Sequence, residues 1–548
     1  MPPHLTWTQV TDPFHNRLVS LLVSLIPVLF IFWALVIRRI KGYLASLLAF
    51  AISMLIAVLF YQMPVSLALL SASNGAVYGI FPVCWIIVPA VFMFNISIRS
   101  GQFAVIRQSL ASITADRRIQ ALLIAFSFGS FLEGTAGFGA PVAITAAMLT
   151  GLGFDPLYAA GICLIANTAP VAFGSIGIPI AVISQVTSLP EQAISELVGR
   201  TLPFLSAILP LYLVTLITGY KKTKEILPAA LVSGLSFATI QAVTSNLLGP
   251  ALPDILAGIG SIICLLLLLR FWQPRSVWRF PHESSEPPVT HSALNTRQLL
   301  WAFSPFITLT IVIIIWGLPP VKDWLNANGS ASFEIPLLHN AILDPSGHPL
   351  PHIYRLNYLS AAGTAIAIAS ILSLFLSRLR PAECWQVLCS TLHQLRFPIL
   401  NIAAVLGFAY LMNDSGMTLT IAGTLAASGV LFPFFSPLLG WLGVFITGSD
   451  TSSNALFGKL QATTAASIGV DPVVTVSANV SGGVVGKMIS PQSIAVAAAA
   501  GGLVGRESRL FRFTLRHSFI LLGIICLLVL AQAYWIKWII PVYSPLHH

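Results

Sequence analysis

Two acidic residues interrupt long apolar stretches of this sequence, and they are the residues most able to do chemistry there. Glu133 lies in the run FLEGTAGFGAP (131–141), and Asp450 lies in the run TGSDTSSN (447–454). An ionisable group in the interior of a membrane costs roughly 2.5–3.5 kcal/mol by insertion scales, so such a residue is functional by default. Because burial favours the protonated form of a carboxyl group, each could take up and release a proton. A structural role in capping helix ends is the alternative.

Both acids are surrounded by residues that suit a small anionic ligand. Glycines permit non-helical turns whose amides can face a ligand, and the helix N-termini that leave such turns favour anions. Lys487 could pair with a substrate carboxylate, although a lasting pair with a protein carboxylate or extension to the cytoplasmic face is equally compatible with its position. The predicted substrate-binding residues are Thr135, Gly137, Asn167, Thr168, Ser449, Thr451, Ser452, Ser453, Asn454, Asn479, Lys487, Ser490 and Gln492.

Composition predicts an all-α polytopic membrane protein. Of the 548 residues 56% are hydrophobic and 8% are charged, and the mean hydropathy is +0.87; a soluble domain carries roughly 25% charged residues. The six cysteines form neither a disulfide framework nor a metal signature, and no cofactor is predicted. About twelve transmembrane helices are expected, near 18–37, 43–60, 80–98, 157–182, 198–219, 226–248, 251–270, 298–318, 356–377, 397–412, 473–490 and 513–540.

An unusual pattern occurs twice, about 315 residues apart. Ser100-Gly101, Glu133-Gly134 and Asn167 of the first copy correspond in order to Ser415-Gly416, Gly448 and Asn479 of the second. Each copy predicts a re-entrant hairpin followed by a discontinuous helix, an arrangement typical of secondary transporters. The hairpins are expected at 119–150 and 434–467, and the broken helices at 157–182 and 473–490. The domains follow as 1–270, a cytoplasmic connector at 271–297, and 298–548.

The distribution of basic residues predicts the orientation. With the N-terminus outside, most of the 28 Lys and Arg residues fall on the cytoplasmic side, as the positive-inside rule requires. Ser100-Gly101 then lies inside and Ser415-Gly416 outside, so the two repeats are expected to have inverted topology. Both termini and the polar loop at 319–355 are expected to be periplasmic. This distribution explains the net charge of +10 without a nucleic-acid partner.

The same residues carry a resemblance to the bacterial L-lactate permease family. It is carried by FLEGTAGFGAPVAIT (131–145), NTAPVAFG (167–174), TGSDTSSNALF (447–457) and GKMISPQSIA (486–495), and it extends over essentially the whole chain. The resemblance implies an inner-membrane symporter that imports small 2-hydroxymonocarboxylates with protons. It names L-lactate first, with D-lactate and glycolate as further substrates.

Other functions remain open or are disfavoured at this stage. A sodium-coupled carrier would use backbone carbonyls and hydroxyl groups near Asn167 and Asn479, and a passive channel for small monocarboxylates is a further alternative. An intramembrane enzyme is disfavoured, because no Ser/His, HExxH or paired catalytic Asp motif lies in the spans. The expected partners are the substrate, protons and the lipid bilayer, and a homodimer is one alternative for the oligomeric state.

Overall fold

The computed structural model describes residues 6–38, 40–137, 139–280, 296–503 and 506–543, and these are mostly helical. In the first half the helices are α1 (Arg17–Phe32), α2 (Gly42–Leu59), α3 (Val65–Tyr78), α4 (Trp85–Arg99), α5 (Gln102–Ala111), α6 (Arg117–Ala121), α7 (Gly129–Thr135), α8 (Ala140–Gly151), α9 (Pro156–Ala166), α10 (Gly174–Thr187), α11 (Glu191–Thr223), α12 (Leu227–Leu247) and α13 (Pro253–Phe271). In the second half they are α14 (Thr296–Gly317), α15 (Pro319–Asn328), α16 (Ala362–Ser377), α17 (Pro381–Asp414), α18 (Met417–Leu425), α19 (Phe432–Thr447), α20 (Asp450–Ser467), α21 (Pro472–Lys487), α22 (Pro491–Gly501) and α23 (Glu507–Tyr534).

The helices confirm an all-α polytopic membrane protein. Ten apolar helical segments among the described residues are long enough to cross a membrane, or eleven if α9 and α10 form one bent span. The longest segment, Glu191–Leu247, contains α11 and α12, which pack against each other across a short turn. Helix α3 was not predicted, because Ser66, Ser71, Ser73 and Asn74 lower its hydropathy. The connector predicted at 271–297 is described only in part, since its residues 281–295 lie outside the described residues.

Both predicted hairpins are represented by helix pairs with glycine turns. Helix α7 ends at Thr135 and α8 begins at Ala140; between them Gly137 and Gly139 have φ of +55° and +84°. Helix α19 ends at Thr447 and α20 begins at Asp450, with Gly448 at a φ of +71°. Residues with a side chain rarely adopt these angles, so the glycines fix where each helix ends. The depth of either hairpin in the bilayer stays a prediction.

The first predicted broken helix is sharply bent. Helix α9 and the helical segment Val171–Thr187 meet at 63°. Three consecutive residues at the start of α10, Ser175, Ile176 and Gly177, have left-handed φ angles of 49°, 61° and 77°. This conformation is costly for Ser and especially for β-branched Ile, so the surrounding structure must impose it.

The second predicted broken helix, 473–490, is continuous as α21 up to Lys487, and the interruption lies only at its end, between α21 and α22. Helix α21 ends at Lys487, and Ser490 caps the N-terminus of α22 by accepting a hydrogen bond from the Ser493 amide. The order α18 to α23 thus parallels the order from α5 to α11 in the first copy. The inverted relation of the two copies stays a prediction.

Glycines bring α19 and α21 into backbone contact. A Cβ atom on Gly440 of α19 would lie 1.9 Å from the Asn479 carbonyl oxygen, and one on Gly482 of α21 would lie 2.0 Å from the Pro437 carbonyl oxygen. Small residues at helix interfaces permit this close approach in membranes. The contact fixes Asn479 and Lys487, both on α21, against the second hairpin.

The polar loop predicted at 319–355 contains a small folded region. It holds α15 and strands β2 (Ala331–Glu334), β3 (Ile342–Leu343) and β4 (Ile353–Leu356), the last pairing antiparallel with β2. Strand β1 (Trp7–Thr8) pairs in parallel with β3, which ties the N-terminal segment to this region.

Candidate functional site

The two hairpin turns and the two helix breaks meet at a central cavity of about 70 Å³. Since a water molecule takes roughly 30 Å³ in the liquid, the cavity has room for a few water-sized groups. Six of the predicted site residues line it: Glu133, Ser449, Asp450, Thr451, Lys487 and Gln492. The strained turn at the start of α10 contributes Gly174 and Ser175 to the same wall.

A buried ion pair is the dominant feature of this cavity. Lys487 Nζ donates to Glu133 Oε1 at 2.5 Å, and the two side chains are only 12% and 3% exposed. The second carboxylate oxygen, Glu133 Oε2, has no hydrogen-bond partner among the described residues. Gly174 faces the same carboxylate, because a Cβ atom there would lie 2.9 Å from Glu133 Oε1. Three positions were open for Lys487: a pair with the substrate, a pair with a protein carboxylate, or extension to the cytoplasmic face. In this structure it pairs with a protein carboxylate.

Asp450 is hydrogen-bonded by a neutral amide group, and Lys487 acts on it only electrostatically. Its Oδ2 accepts from Asn454 Nδ2 at 3.3 Å, and its Oδ1 has no partner among the described residues. Asn454 Nδ2 also donates to the Pro179 carbonyl at 3.1 Å, and Asn454 Oδ1 accepts from Asn479 Nδ2 at 2.8 Å. Gln461 extends this network by donating to Asn479 Oδ1 at 3.2 Å. The second hairpin is thereby hydrogen-bonded both to α21 and to the first broken helix.

The remaining predicted residues surround the cavity without lining it. Thr135, Thr168 and Ser453 direct their hydroxyl groups to backbone carbonyls, at 3.2, 2.7 and 3.1 Å respectively. Ser490 donates to Ser493 Oγ at 2.9 Å. Gly137 lies against Ser175, since a Cβ atom there would be 1.9 Å from Ser175 Oγ. The side chains of Asn167 and Ser452 are buried, and neither forms a hydrogen bond within the described part of the chain.

A third buried carboxyl group, which the sequence analysis did not single out, lies near Glu133 and Lys487. Asp254, in the first turn of α13, is 1% exposed and interacts electrostatically with both Glu133 and Lys487. From sequence it looked like a residue near the end of a span, beside Pro253. The feature of the sequence that relates to this burial is the small residue Gly134, where a Cβ atom would lie 2.8 Å from Asp254 Cβ. Sequence alone does not reveal which element packs against Gly134.

A second and much larger cavity, of about 920 Å³, opens toward the folded region formed by α15 and the strands. Its lining includes Asn74, Ile176, His352, Asp414 and Lys459. The carbonyl oxygen of the Asn74 side chain is buried there without a hydrogen-bond partner among the described residues. Ile176 is adjacent to Ser175 of the central cavity, so the left-handed turn of α10 separates the two cavities.

A histidine joins the folded outer region to the helices. His352 Nε2 lies 3.1 Å from Asp414 Oδ2, and Ser71 donates to the same oxygen at 2.5 Å. Burial of the imidazole acts to lower the pKa of His352, but the nearby Asp414 carboxylate outweighs burial, so this pKa is raised. The contact connects the segment at β4 to the end of α17.

Comparisons with known proteins show which family this chain is similar to. The model of the L-lactate permease family matches residues 20–536. The chain is 52% identical to the L-lactate permease of Bacillus subtilis (strain 168), over 98% of this chain and 100% of that protein. It is 49% identical to the glycolate permease GlcA of Escherichia coli (strain K12), over 97% of this chain and 98% of that protein.

Among solved structures, the chain is similar to MtrF of Neisseria gonorrhoeae, an antimetabolite efflux pump, with a TM-score of 0.48 and 14% identity over 87% of this chain and 86% of that chain. The apolar helices and the match to permeases along almost the whole chain define a multi-pass membrane permease. The chain belongs to the L-lactate permease family.

Proposed function

We propose that this chain imports L-lactate by proton symport across the inner membrane, and that it also accepts D-lactate and glycolate. The names of its relatives, L-lactate permease and glycolate permease, support a small 2-hydroxymonocarboxylate as the substrate. The observation that carries the coupling mechanism is the buried pair of Lys487 and Glu133 in a cavity sized for a few polar groups.

The substrate carboxylate and the Glu133 carboxylate compete for one cation. A buried ammonium group needs an anionic partner, and removing that partner is strongly unfavourable. When Glu133 takes up a proton it no longer neutralises Lys487, and the carboxylate of the substrate can replace it. Proton binding and substrate binding therefore favour each other, and this linkage is reciprocal. The loaded site carries the same net charge as the empty one.

The second hairpin supplies groups for the rest of the substrate. Ser449 and Thr451 place hydroxyl groups beside the N-terminus of α20, and Gln492 places an amide beside the N-terminus of α22. Helix N-termini carry partial positive charge and favour an anion. The hydroxyl group of a 2-hydroxy acid can bond to Ser449, Thr451 or Gln492. Discrimination between lactate and glycolate rests on one methyl group, which is worth about 1–3 kcal/mol in a pocket.

Sodium coupling remains the second candidate because several buried oxygen atoms lack partners. Asp450 Oδ1, Ser477 Oγ and Ser481 Oγ have no hydrogen bond among the described residues. Such oxygens are the ligands that a hard cation prefers. The proton is favoured because Glu133 and Lys487 already form a pair that protonation would break.

The test is uptake of radiolabelled L-lactate into proteoliposomes that contain the purified chain. Under an inward proton gradient the wild type should accumulate lactate above equilibrium, and an uncoupler should abolish accumulation. Glu133→Gln should still exchange lactate but lose accumulation, because it can no longer alternate between charged and neutral forms. Asp450→Asn, made in parallel, tests whether the second acid also carries the coupling proton. Asp155→Asn is the matched control, since Asp155 caps α9 at an exposed position and Asn caps as well as Asp.

The outcomes separate the alternatives. Accumulation driven by a sodium gradient alone would replace the proton with sodium. Equilibration without accumulation under either gradient would indicate a passive channel. Normal accumulation in both Glu133→Gln and Asp450→Asn would contradict the assignment of these acids to coupling.

A further inference from the structure

Asp254 lies outside both copies of the repeated pattern, yet it faces the central ion pair. Its side chain is buried in the first turn of α13. Oδ1 accepts from Gln241 Nε2 at 3.3 Å, whereas Oδ2 has no hydrogen-bond partner among the described residues. A buried carboxyl oxygen without a partner is rare in folded proteins and calls for a specific explanation.

The position of Asp254 is fixed by backbone contact with the first hairpin. Gly134 follows Glu133 directly, and a Cβ atom on Gly134 would meet Asp254 Cβ at 2.8 Å and the Ile255 amide nitrogen at 3.0 Å. No side chain therefore separates the start of α13 from the residue after Glu133. If the first hairpin moves, Asp254 must either move with it or lose this contact.

The charged groups around Asp254 are few. Glu133 on α7 and Lys487 on α21 interact with it electrostatically. From α12, which packs along α13, the neutral Gln241 faces it. Lys487 already neutralises Glu133, so an ionised Asp254 would add a buried charge without a counterion. Lys487 acts on Glu133, Asp254 and Asp450, and its one ammonium group can balance only one of these carboxylates at any time.

We propose that Asp254 is a second proton-carrying residue, through which the coupling proton reaches Glu133 when the substrate takes the place of Glu133 on Lys487. In this step the O–H bond of Asp254 breaks and an O–H bond forms on Glu133, while Lys487 stays an ammonium group. Asp254 then regains a proton from the solution outside, and Glu133 releases its proton inside when it pairs with Lys487 again, so one proton enters for each substrate anion. The two oxygens that lack partners, Asp254 Oδ2 and Glu133 Oε2, are the atoms available for this transfer.

The hydrogen bonds of Asp254 also connect this proton to the first broken helix. Gln241 Nε2, which donates to Asp254, also donates to the Ala169 carbonyl at 3.0 Å. Ala169 lies in the break between α9 and α10, next to the cavity wall. Loss of the Asp254 proton would strengthen its hydrogen bond from Gln241 at the expense of the bond to Ala169, and the break could respond.

This inference rests on proton symport, so the experiment measures the two ideas separately. Proteoliposomes containing Asp254→Asn, Asp254→Glu, Asp155→Asn or the wild type are assayed for lactate exchange at equal pH and for accumulation under a proton gradient. Exchange needs no net proton movement. Asp254→Asn should lower gradient-driven uptake about tenfold or more, in the range expected for loss of a proton-transfer group. Exchange should fall less, because Glu133 can keep its proton while one lactate replaces another. Asp254→Glu should restore coupled uptake.

A spectroscopic readout separates proton carrying from a packing role. Infrared spectra of the wild type at neutral pH should contain the carbonyl band of a protonated carboxyl group. Asp254→Asn should lose this band, Asp254→Glu should shift it, and Asp155→Asn should retain it. If Asp254→Asn does not fold, the shifted band and restored coupling of Asp254→Glu carry the test.

Coupled uptake and a carbonyl band in Asp254→Asn that match those of the wild type would overturn the proposal. If the wild type itself shows no proton-driven accumulation, proton symport fails, whatever the behaviour of Asp254.

Discussion

Each hairpin has one acidic residue at its turn: Glu133 at the first turn, called the first tip, and Asp450 at the second, called the second tip. The two acids lie on opposite sides of their turns and have different partners. Glu133 lies before the first turn, in the last residues of α7, and pairs with Lys487. Asp450 lies after the second turn, as the first residue of α20, and bonds to the amide of Asn454. A helix N-terminus favours a negative charge and a helix C-terminus disfavours it. The negative charge on Glu133 consequently depends on Lys487, whereas a negative charge on Asp450 is also stabilised by the dipole of α20.

Together with the proposed function, this difference leads us to propose that the two copies have different roles. In this proposal the first tip is the switch, because a substrate can take the cation of its carboxylate. The second tip shapes the anion site, because Asp450 is hydrogen-bonded within an amide network that extends through Asn454 and Asn479. Similar sequence patterns thus lead to different chemistry.

The largest effect is expected from Lys487→Met. Loss of the ammonium group leaves Glu133 buried without a counterion and removes the partner of the substrate carboxylate. Breaking a buried pair costs about 3–5 kcal/mol, so lactate uptake should fall by roughly 100-fold or more. Uptake into proteoliposomes and thermal unfolding in detergent both measure this.

Lys459→Met is the matched control, because Lys459 lines the large outer cavity instead of the central one. The double variant Glu133→Gln with Lys487→Met should regain stability relative to Lys487→Met alone, since no charge is left unpaired. Equal losses of uptake in the two lysine variants would contradict the special role of the first tip.

Replacing Gly483 and Gly174 by alanine, one at a time, compares the free space beside Asp450 with that beside Glu133. A Cβ atom on Gly483 would lie 2.1 Å from Asp450 Oδ1, whereas one on Gly174 would lie 2.9 Å from Glu133 Oε1. Overpacking costs about 1–3 kcal/mol, so Gly483→Ala should reduce uptake about tenfold. Gly174→Ala should reduce it less, since Glu133 is longer and can shift. Initial uptake rates measure both losses. A larger loss in Gly174→Ala would indicate that Glu133, and not Asp450, has the less adaptable surroundings.

Asn454→Ala tests whether the amide network stabilises the second tip. The substitution leaves Asn479 Nδ2 and the Pro179 carbonyl without this partner, and each unsatisfied buried group costs about 1–3 kcal/mol. The midpoint of thermal unfolding should fall, while proton coupling should persist at a lower uptake rate. Ser453→Ala is the control, because it removes a single hydrogen bond to the Gly440 carbonyl. An unchanged midpoint in Asn454→Ala would make the network unimportant for stability.

Sequence patterns predicted much of this fold because they report local properties. Apolar runs indicated the spans, and the glycines around 134–139 and at 448 indicated where helices end. Six predicted site residues line the central cavity for the same reason, since polar residues in apolar surroundings are conspicuous.

Asp254 shows what local patterns do not contain. Beside Pro253 it has the sequence context of a residue at the start of a helix, where aspartate is common. Its burial arises from contact with Gly134, about 120 residues earlier in the chain. The partner of Lys487 was likewise left open, because Glu133 and Asp450 both suited it and the choice between them is made by packing.

The smallest effect is expected far from both tips, at His352, and it sets a baseline for pH effects that arise outside the central cavity. The pKa of His352 is raised in the folded protein by Asp414, so this contact stabilises fully below the unfolded pKa of about 6.5 and is lost as pH rises through the folded value. Thermal unfolding of the wild type should show a slightly lower midpoint above that range than below it, by an amount on the order of 2 °C. His352→Gln should remove this difference while leaving the pH dependence of proton-driven uptake unchanged, because His352 lies in the outer cavity. If His352→Gln instead altered that uptake profile, proton coupling would extend beyond the hairpin tips, and the division of work between them would be incomplete.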